Sequence, residues 1–163
     1  MFNVIAAVSK NYGIGADNDL LYNIPEDKKF FRAKTKGRVV VMGRKTFESL
    51  PNGKPLPDRV NIVLSSDENY KAEGALVCHS IDGLKPELEK YPAEDIFIIG
   101  GAAVYKTMLP LCGKAYITHI DGEMPADRFF PEIEKLPEWK CTERSEIKEY
   151  NGLKFCFCTY ERV

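Results

Sequence analysis

Asp95-Ile96-Phe97-Ile98-Ile99-Gly100-Gly101-Ala102-Ala103-Val104-Tyr105 decides the fold. Ile96 to Ile99 are continuously apolar, the pattern of a strand covered on both faces. Two glycines end the run, and a helical stretch over 102–109 begins at once. A strand that turns directly into a helix is half of a parallel strand–helix–strand unit. The same junction recurs at Val41-Met42-Gly43-Arg44-Lys45-Thr46-Phe47, behind the apolar run Val39-Val40-Val41.

Outward from these two junctions, β-rich runs are predicted over 2–9, 38–42, 59–65, 75–78, 95–99, 115–121 and 153–161. Helices are predicted over 25–35, 44–50, 102–109 and, more weakly, 83–90. Pro25 opens the first helix, where its missing N–H costs nothing. In the final run, Leu153, Phe155 and Phe157 alternate with Lys154, Cys156 and Cys158. That alternation predicts a half-covered antiparallel strand with a hairpin partner near 139–147. The whole order predicts an α/β fold, with a mostly parallel sheet, helices on both faces and a late antiparallel strand at the edge. The Pro- and Gly-containing stretch 51–58 reads as a loop or hinge inside one domain rather than a linker.

The chain has 163 residues, enough for one well-buried domain. Its 23 Lys+Arg nearly balance 24 Asp+Glu, for a net charge of −1. That balance argues against nucleic-acid binding by bulk positive charge and against a polybasic membrane anchor. At 44% hydrophobic residues the chain is not a disordered one. No apolar run approaches a membrane span, and the early run from Val4 to Val8 has no basic segment before it, so neither a leader nor a membrane is expected. Cys78, Cys112, Cys141, Cys156 and Cys158 form no CxxC pair. An odd, scattered set suits a reducing cytoplasm and thiols used as core filler. His79 and His119 have no Cys or carboxylate at ligand spacing, so no metal site is expected.

Three constellations could carry chemistry. Asp27, Phe31 and Thr35 lie at i, i+4 and i+8 of the first helix and share one stripe. If Phe31 marks that stripe as buried, Asp27 is an acid drawn into an apolar site, with a pKa raised toward proton handling. The other reading is an acid placed at the positive end of its helix. Gly100-Gly101 before a helix lets a diphosphate approach the backbone, or is simply a tight turn. At the second junction Arg44 and Lys45, with Ser65 and Ser66 from a nearby strand end, suit a phosphate monoester such as the 2′-phosphate of NADP. A solvated basic pair is the alternative. Gly13-Ile14-Gly15 lacks the third glycine of the Rossmann fingerprint, so any dinucleotide site is of another design.

Taken in order, these segments resemble bacterial dihydrofolate reductase. The matching residues are Ile5-Ala6-Ala7, Gly13-Ile14-Gly15, Ile24-Pro25-Glu26-Asp27, Val41 through Ser49, Pro55 through Arg59, Asn61 through Ser65, Ile99-Gly100-Gly101 with Val104-Tyr105, and Thr118-His119-Ile120-Asp121. The likeness spans essentially the whole chain. It implies an eight-stranded sheet flanked by about four helices, within a single domain over 1–163. The adenosine-binding lobe would occupy roughly 38–105 and a loop lobe the remainder. It also implies NADPH-dependent reduction of 7,8-dihydrofolate to tetrahydrofolate for one-carbon and thymidylate metabolism, sensitivity to antifolate inhibitors, and a monomer.

Carried over by position, Asp27 would support protonation of the pterin at N5 through water while hydride reaches C6. Ile5, Ala7, Phe31 and Thr118 would line the pterin pocket, and Arg59 would grip the α-carboxylate of the glutamate tail. Gly43, Arg44, Lys45, Thr46, Leu64, Ser65 and Ser66 would hold the adenosine end. Ile99, Gly100, Gly101, Ala102, Ala103, Val104 and Tyr105 would cradle the diphosphate, with the Gly100–Gly101 bond cis. Ala7, Ile14, Gly15, Asp19 and Leu20 would meet the nicotinamide end, the last three within a loop that closes over it. Leu21-Tyr22 replaces the family's usual Pro-Trp, so a Tyr22 hydroxyl would take over the water-holding role of an indole. Lys28 stands where an apolar residue is usual, its stem packing and its ammonium reaching the tail carboxylate. Ala103 replaces a frequent basic residue, leaving NADPH selectivity to Arg44 and Lys45. Another reductase on this fold would lack the pairing of Asp27 with Arg59. A non-catalytic folate- or nucleotide-binding module would have only the Leu21-Tyr22 departure in its favour.

Overall fold

The structure, a computed structural model, describes residues 1–16, 19–20, 23–123 and 125–163, and for 16, 19 and 20 the backbone alone. In chain order the elements are β1 (Phe2–Val8), β2 (Gly13–Ala16), β3 (Asp19–Leu20), α1 (Pro25–Thr35), β4 (Val39–Gly43), α2 (Arg44–Glu48), β5 (Val60–Leu64) and β6 (Leu76–Cys78). They continue with α3 (Ile81–Leu88), β7 (Ile96–Gly100), α4 (Ala102–Met108), β8 (Cys112–Asp121), β9 (Arg128–Phe129), β10 (Trp139–Arg144), β11 (Lys148–Tyr150) and β12 (Leu153–Arg162).

The main sheet runs β10-β12-β8-β1-β7-β4-β5-β6, with β11 added to β12. Every neighbour pair from β8 to β6 is parallel; β12 pairs antiparallel with β8, β10 and β11. The expected α/β sheet is present with its late antiparallel strand, β12; β10 is the antiparallel partner expected near 139–147, and β11 pairs with β12 as well. Parallel strands need their crossovers on the sheet faces, and the alternation along each strand divides the residues accordingly. Val39 and Val41 of β4 join Ile96 and Ile98 of β7 in one core with Leu84 and Leu88 of α3 and Val104 and Met108 of α4. Val40 and Met42 join Phe97 and Ile5 in the opposite core, with Phe47 of α2 and Phe30 and Phe31 of α1 against them.

Two expectations need correction. The final strand is not half-covered: Phe155 is buried on one face, and Cys156 and Cys158 are buried on the other, within the larger core. A thiol is small and apolar enough for that face, so its alternation with Phe is not an inside–outside pattern. Second, the Gly15–Leu20 stretch read as loop is partly strand. β2 pairs with β3 and β9 in a separate three-stranded sheet. Strands of two to four residues carry too few side chains to register as a period. Among the described residues no helix is long and apolar enough to cross a membrane.

The five cysteines are unpaired; four are buried, and Cys141 is partly exposed. Burial pushes the Cys112 and Cys158 thiols up to about 12, far from the reactive thiolate. A thiol-titrating disulfide reagent is therefore expected to modify only Cys141 in the folded protein and all five cysteines after denaturation. Counting released chromophore before and after guanidinium addition checks this.

Candidate active site

The carboxyl ends of β1, β4 and β7 meet at one level of the sheet, where parallel α/β folds place their ligands. A cavity of about 450 Å³ opens there. Ile5, Ala6 and Ala7 of β1 form one wall, and Ile99, Gly100, Gly101 and Tyr105 another. Asp27, Lys28 and Phe31 enter from α1, Lys45 and Thr46 from α2, and Gly13, Ile14 and Gly15 from the small sheet.

Asp27 sits in the first turn of α1, after Pro25. The i, i+4, i+8 stripe forms as expected: Thr35 is fully buried, and Phe31 is half-buried against the core. The Asp27 carboxyl accepts a hydrogen bond from the Thr118 hydroxyl at 2.6 Å. Burial raises the Asp27 pKa above its ordinary 3.8, and the Thr118 bond works against that rise. The helix end and the hydroxyl both favour the anion, yet desolvation dominates. Among the described lining residues Asp27 is the one acid.

Tyr105 is buried, and its hydroxyl donates to the Ile5 carbonyl at 2.8 Å, tying α4 to β1 across the cavity floor. Phe130 packs edge-on against its ring at 4.9 Å. The glycines hold the floor open. Gly100 has φ of 127°, a conformation that disfavours any side chain, and the Gly100–Gly101 peptide is cis. A Cβ on Gly101 would come within 3.3 Å of the Thr46 hydroxyl oxygen, and one on Gly43 within 3.2 Å of Val104. The strand-to-helix glycines therefore leave a backbone-lined cleft where side chains would otherwise stand.

Other expected site residues lie around the cavity rather than in its wall. Arg44 pairs with Glu48 and Asp67, both at 3.4 Å, and its guanidinium lies 4.2 Å over the Tyr70 ring. Ser65 is buried; its hydroxyl accepts from the Asp67 N–H at 3.3 Å, and its carbonyl lies 2.9 Å from His79 Nδ1. Ser66 is exposed, and Leu64 is half-buried at the end of β5. Ala102, Ala103 and Val104 follow the cleft as the first turn of α4. Arg59 is half-buried, with Nε donating to the Pro57 carbonyl at 2.9 Å and Nη1 to the Thr35 hydroxyl at 3.1 Å. Burial and the neighbouring Arg32 lower its pKa. Lys28, unlike these, does line the cavity, exposed at its rim. Leu21 and Tyr22 lie outside the described residues, as do the side chains of Asp19 and Leu20.

Sequence reasoning missed Ser49, Leu50, Pro51, Leu56, Ile120 and Arg128, which also line the cavity. Leu50 immediately precedes the stretch 51–58 read as a loop or hinge, and Leu56 lies within it. Two apolar residues in and beside an otherwise polar loop are the available signal that it turns inward. Arg128 arrives through β9, whose pairing with Gly15 no local pattern announces.

The comparisons with known proteins bear on this geometry. A family model described as "Dihydrofolate reductase" matches residues 1–162. A dihydrofolate reductase of Neisseria meningitidis serogroup B is 42% identical over 160 residues, covering 98% of this chain and 96% of that protein. One of Bacillus subtilis is 38% identical over 165 residues, covering 99% and 95%. Among solved structures, a dihydrofolate reductase from Enterococcus faecalis complexed with NADP(H) and RAB-propyl superposes with a TM-score of 0.89 at 35% identity, covering 99% of this chain and 96% of that one. Matched from end to end by sequence and by fold, the chain belongs to the dihydrofolate reductase family.

Proposed function

We propose that this protein reduces 7,8-dihydrofolate to 5,6,7,8-tetrahydrofolate with NADPH, and that Asp27 assists protonation at N5. The observation that carries the reading is a single desolvated carboxyl, held by Thr118, at one end of a cavity whose other end is a glycine-floored cleft. A pterin amidine edge offers donors to such a carboxyl. The acid's raised pKa keeps a proton within reach at a pH where an exposed aspartate has none. Ile5, Ala7 and Phe31 supply apolar wall, which excludes water and strengthens each polar contact inside.

The cleft fits a dinucleotide. Missing side chains at Gly43, Gly100 and Gly101 admit a diphosphate to the backbone, and Thr46 stands beside it. Bound NADPH supplies a hydride to C6 of the pterin. Lys45 lines the cavity, and Arg44, oriented by Asp67, Glu48 and Tyr70, would hold the 2′-phosphate with it. Ile14 and Gly15 would cover the nicotinamide end, with Asp19 and Leu20, and Tyr22 would hold the proton-relaying water. Arg59, already fixed by two hydrogen bonds, keeps further N–H donors for the substrate's glutamate carboxylate, and Lys28 adds a charge on the same side. The reading takes the enzyme as a cytoplasmic monomer, open to antifolates, whose product feeds one-carbon and thymidylate metabolism. Five unpaired cysteines agree with a reducing compartment.

Asp27→Asn is expected to lower kcat at pH 7 by about 100-fold or more and to remove the decline of rate with rising pH; steady-state turnover across pH checks both. The same substitution has a stability signature. Because burial raises the folded-state pKa, Asp27 contributes stability that is fully present below the unfolded value near 3.8 and is lost as pH rises through the folded value. The variant should therefore gain in Tm relative to the parent as pH rises from 4 to 8, which calorimetry measures. Replacing Arg44 and Lys45 together by Ala should erode the preference for NADPH over NADH by roughly tenfold or more. Equal loss with both cofactors would contradict the assignment.

A further inference from the structure

The turn that carries Arg59 is shaped from inside the protein by a side chain not used above. Asn61, in β5, is 3% exposed. Side chains alternate along a strand, so Asn61 shares a face with Val63, the face that meets the core around Phe31 and Leu56. Its carboxamide oxygen accepts from the Leu56 N–H at 2.9 Å. Its amino group donates to the Leu56 carbonyl at 2.9 Å and to the Arg59 carbonyl at 3.1 Å. One buried amide thus closes 56–59 into a ring. Within that ring Asp58 has φ of 61°, the left-handed region that a residue with a Cβ seldom adopts, and its carbonyl accepts from the Gly37 N–H at 2.8 Å. A turn with that backbone persists where surrounding bonds over-determine it.

The bonds continue beyond the turn. Arg59 donates to the Thr35 hydroxyl, and Thr35 donates to the Phe31 carbonyl at 2.9 Å. A connected path runs from Asn61 through Arg59 into α1, the helix that bears Asp27. Arg59 also stands close enough to Arg32 to be repelled by it, so its guanidinium needs holding.

We infer that Asn61 is a positioning residue for Arg59, setting the turn so that the guanidinium's uncommitted donors face the substrate's carboxylate tail. This rests on the proposed role of Arg59. A guanidinium fork recognises a carboxylate only from a fixed origin, and a displacement of about 1 Å forfeits the two-point geometry. Asn61 is not among the residues that line the cavity, so its effect is confined to substrates that carry the tail.

The test is steady-state kinetics with dihydrofolate and with a 7,8-dihydropterin lacking the glutamyl tail, for Asn61→Ala, Arg59→Ala and the double variant. Asn61→Ala is expected to raise KM for dihydrofolate about tenfold while kcat, and KM for the tail-less substrate, stay within about twofold. The double variant should match Arg59→Ala alone, because a lost position costs nothing once the positioned group is gone. Asn61→Asp keeps the side-chain volume and the acceptor for the Leu56 N–H but loses both donations, and it carries the same test if the alanine variant does not fold. An equal KM rise for both substrates, or additivity with Arg59→Ala, would overturn the inference and leave the Arg59 reading intact. An unchanged dihydrofolate KM in Arg59→Ala would overturn both.

Discussion

The hydrogen bond from Thr118 to Asp27 joins residues 91 positions apart, and the site depends on it. It links the first turn of α1 to β8, the strand beside β1 at the centre of the sheet. Asp27 is thereby held at the inner wall of a cavity, where the carboxyl loses water. Loss of water raises its pKa more than the hydroxyl lowers it. Position and chemistry are therefore one constraint: the bond that fixes where the acid stands also holds it in the environment that raises its pKa.

The rest of the cavity is arranged around that carboxyl by a few long-range ties. Tyr105 donates to the Ile5 carbonyl across the floor. Thr35 connects Arg59 to the far end of the same helix that presents Asp27. The cavity thus has a carboxyl end at α1, a backbone-lined cleft at the glycines of β4 and β7, and a cationic fringe of Lys28, Lys45 and Arg128. Charge and shape both match an anionic dinucleotide lying against a neutral bicyclic ring.

Much of this is legible in the sequence where one local rule dominates. The helix Pro25–Thr35 appears with its expected bounds because Pro25 marks its start and the Asp27–Phe31–Thr35 stripe marks its buried face. β4 and β7 are equally clear, since continuous apolar runs have few alternatives in a chain of this size. The family resemblance supplied the roles of single residues, which no periodicity could give. What escaped was set by pairing at a distance. The small sheet of β2, β3 and β9 is too short to show alternation, so Arg128 could not be placed beside Gly15. The alternation over 153–158 assigns Cys156 and Cys158 to an open face while their chemistry reads as core filler, and it is the second reading that holds, because a thiol carries no clear polarity signal. Arg44 reads as a free cation in sequence and becomes a braced one only when the turn after β5 brings Asp67 to it.

The central claim is that desolvation governs the Asp27 carboxyl. The most direct measurement is a ¹³C NMR titration of that side-chain carboxyl, assigned by its disappearance in Asp27→Asn. The account predicts a midpoint clearly above the ordinary value of 3.8. A midpoint at or below that value would mean that the helix end and Thr118 outweigh burial, and the proposed proton role would fall with it.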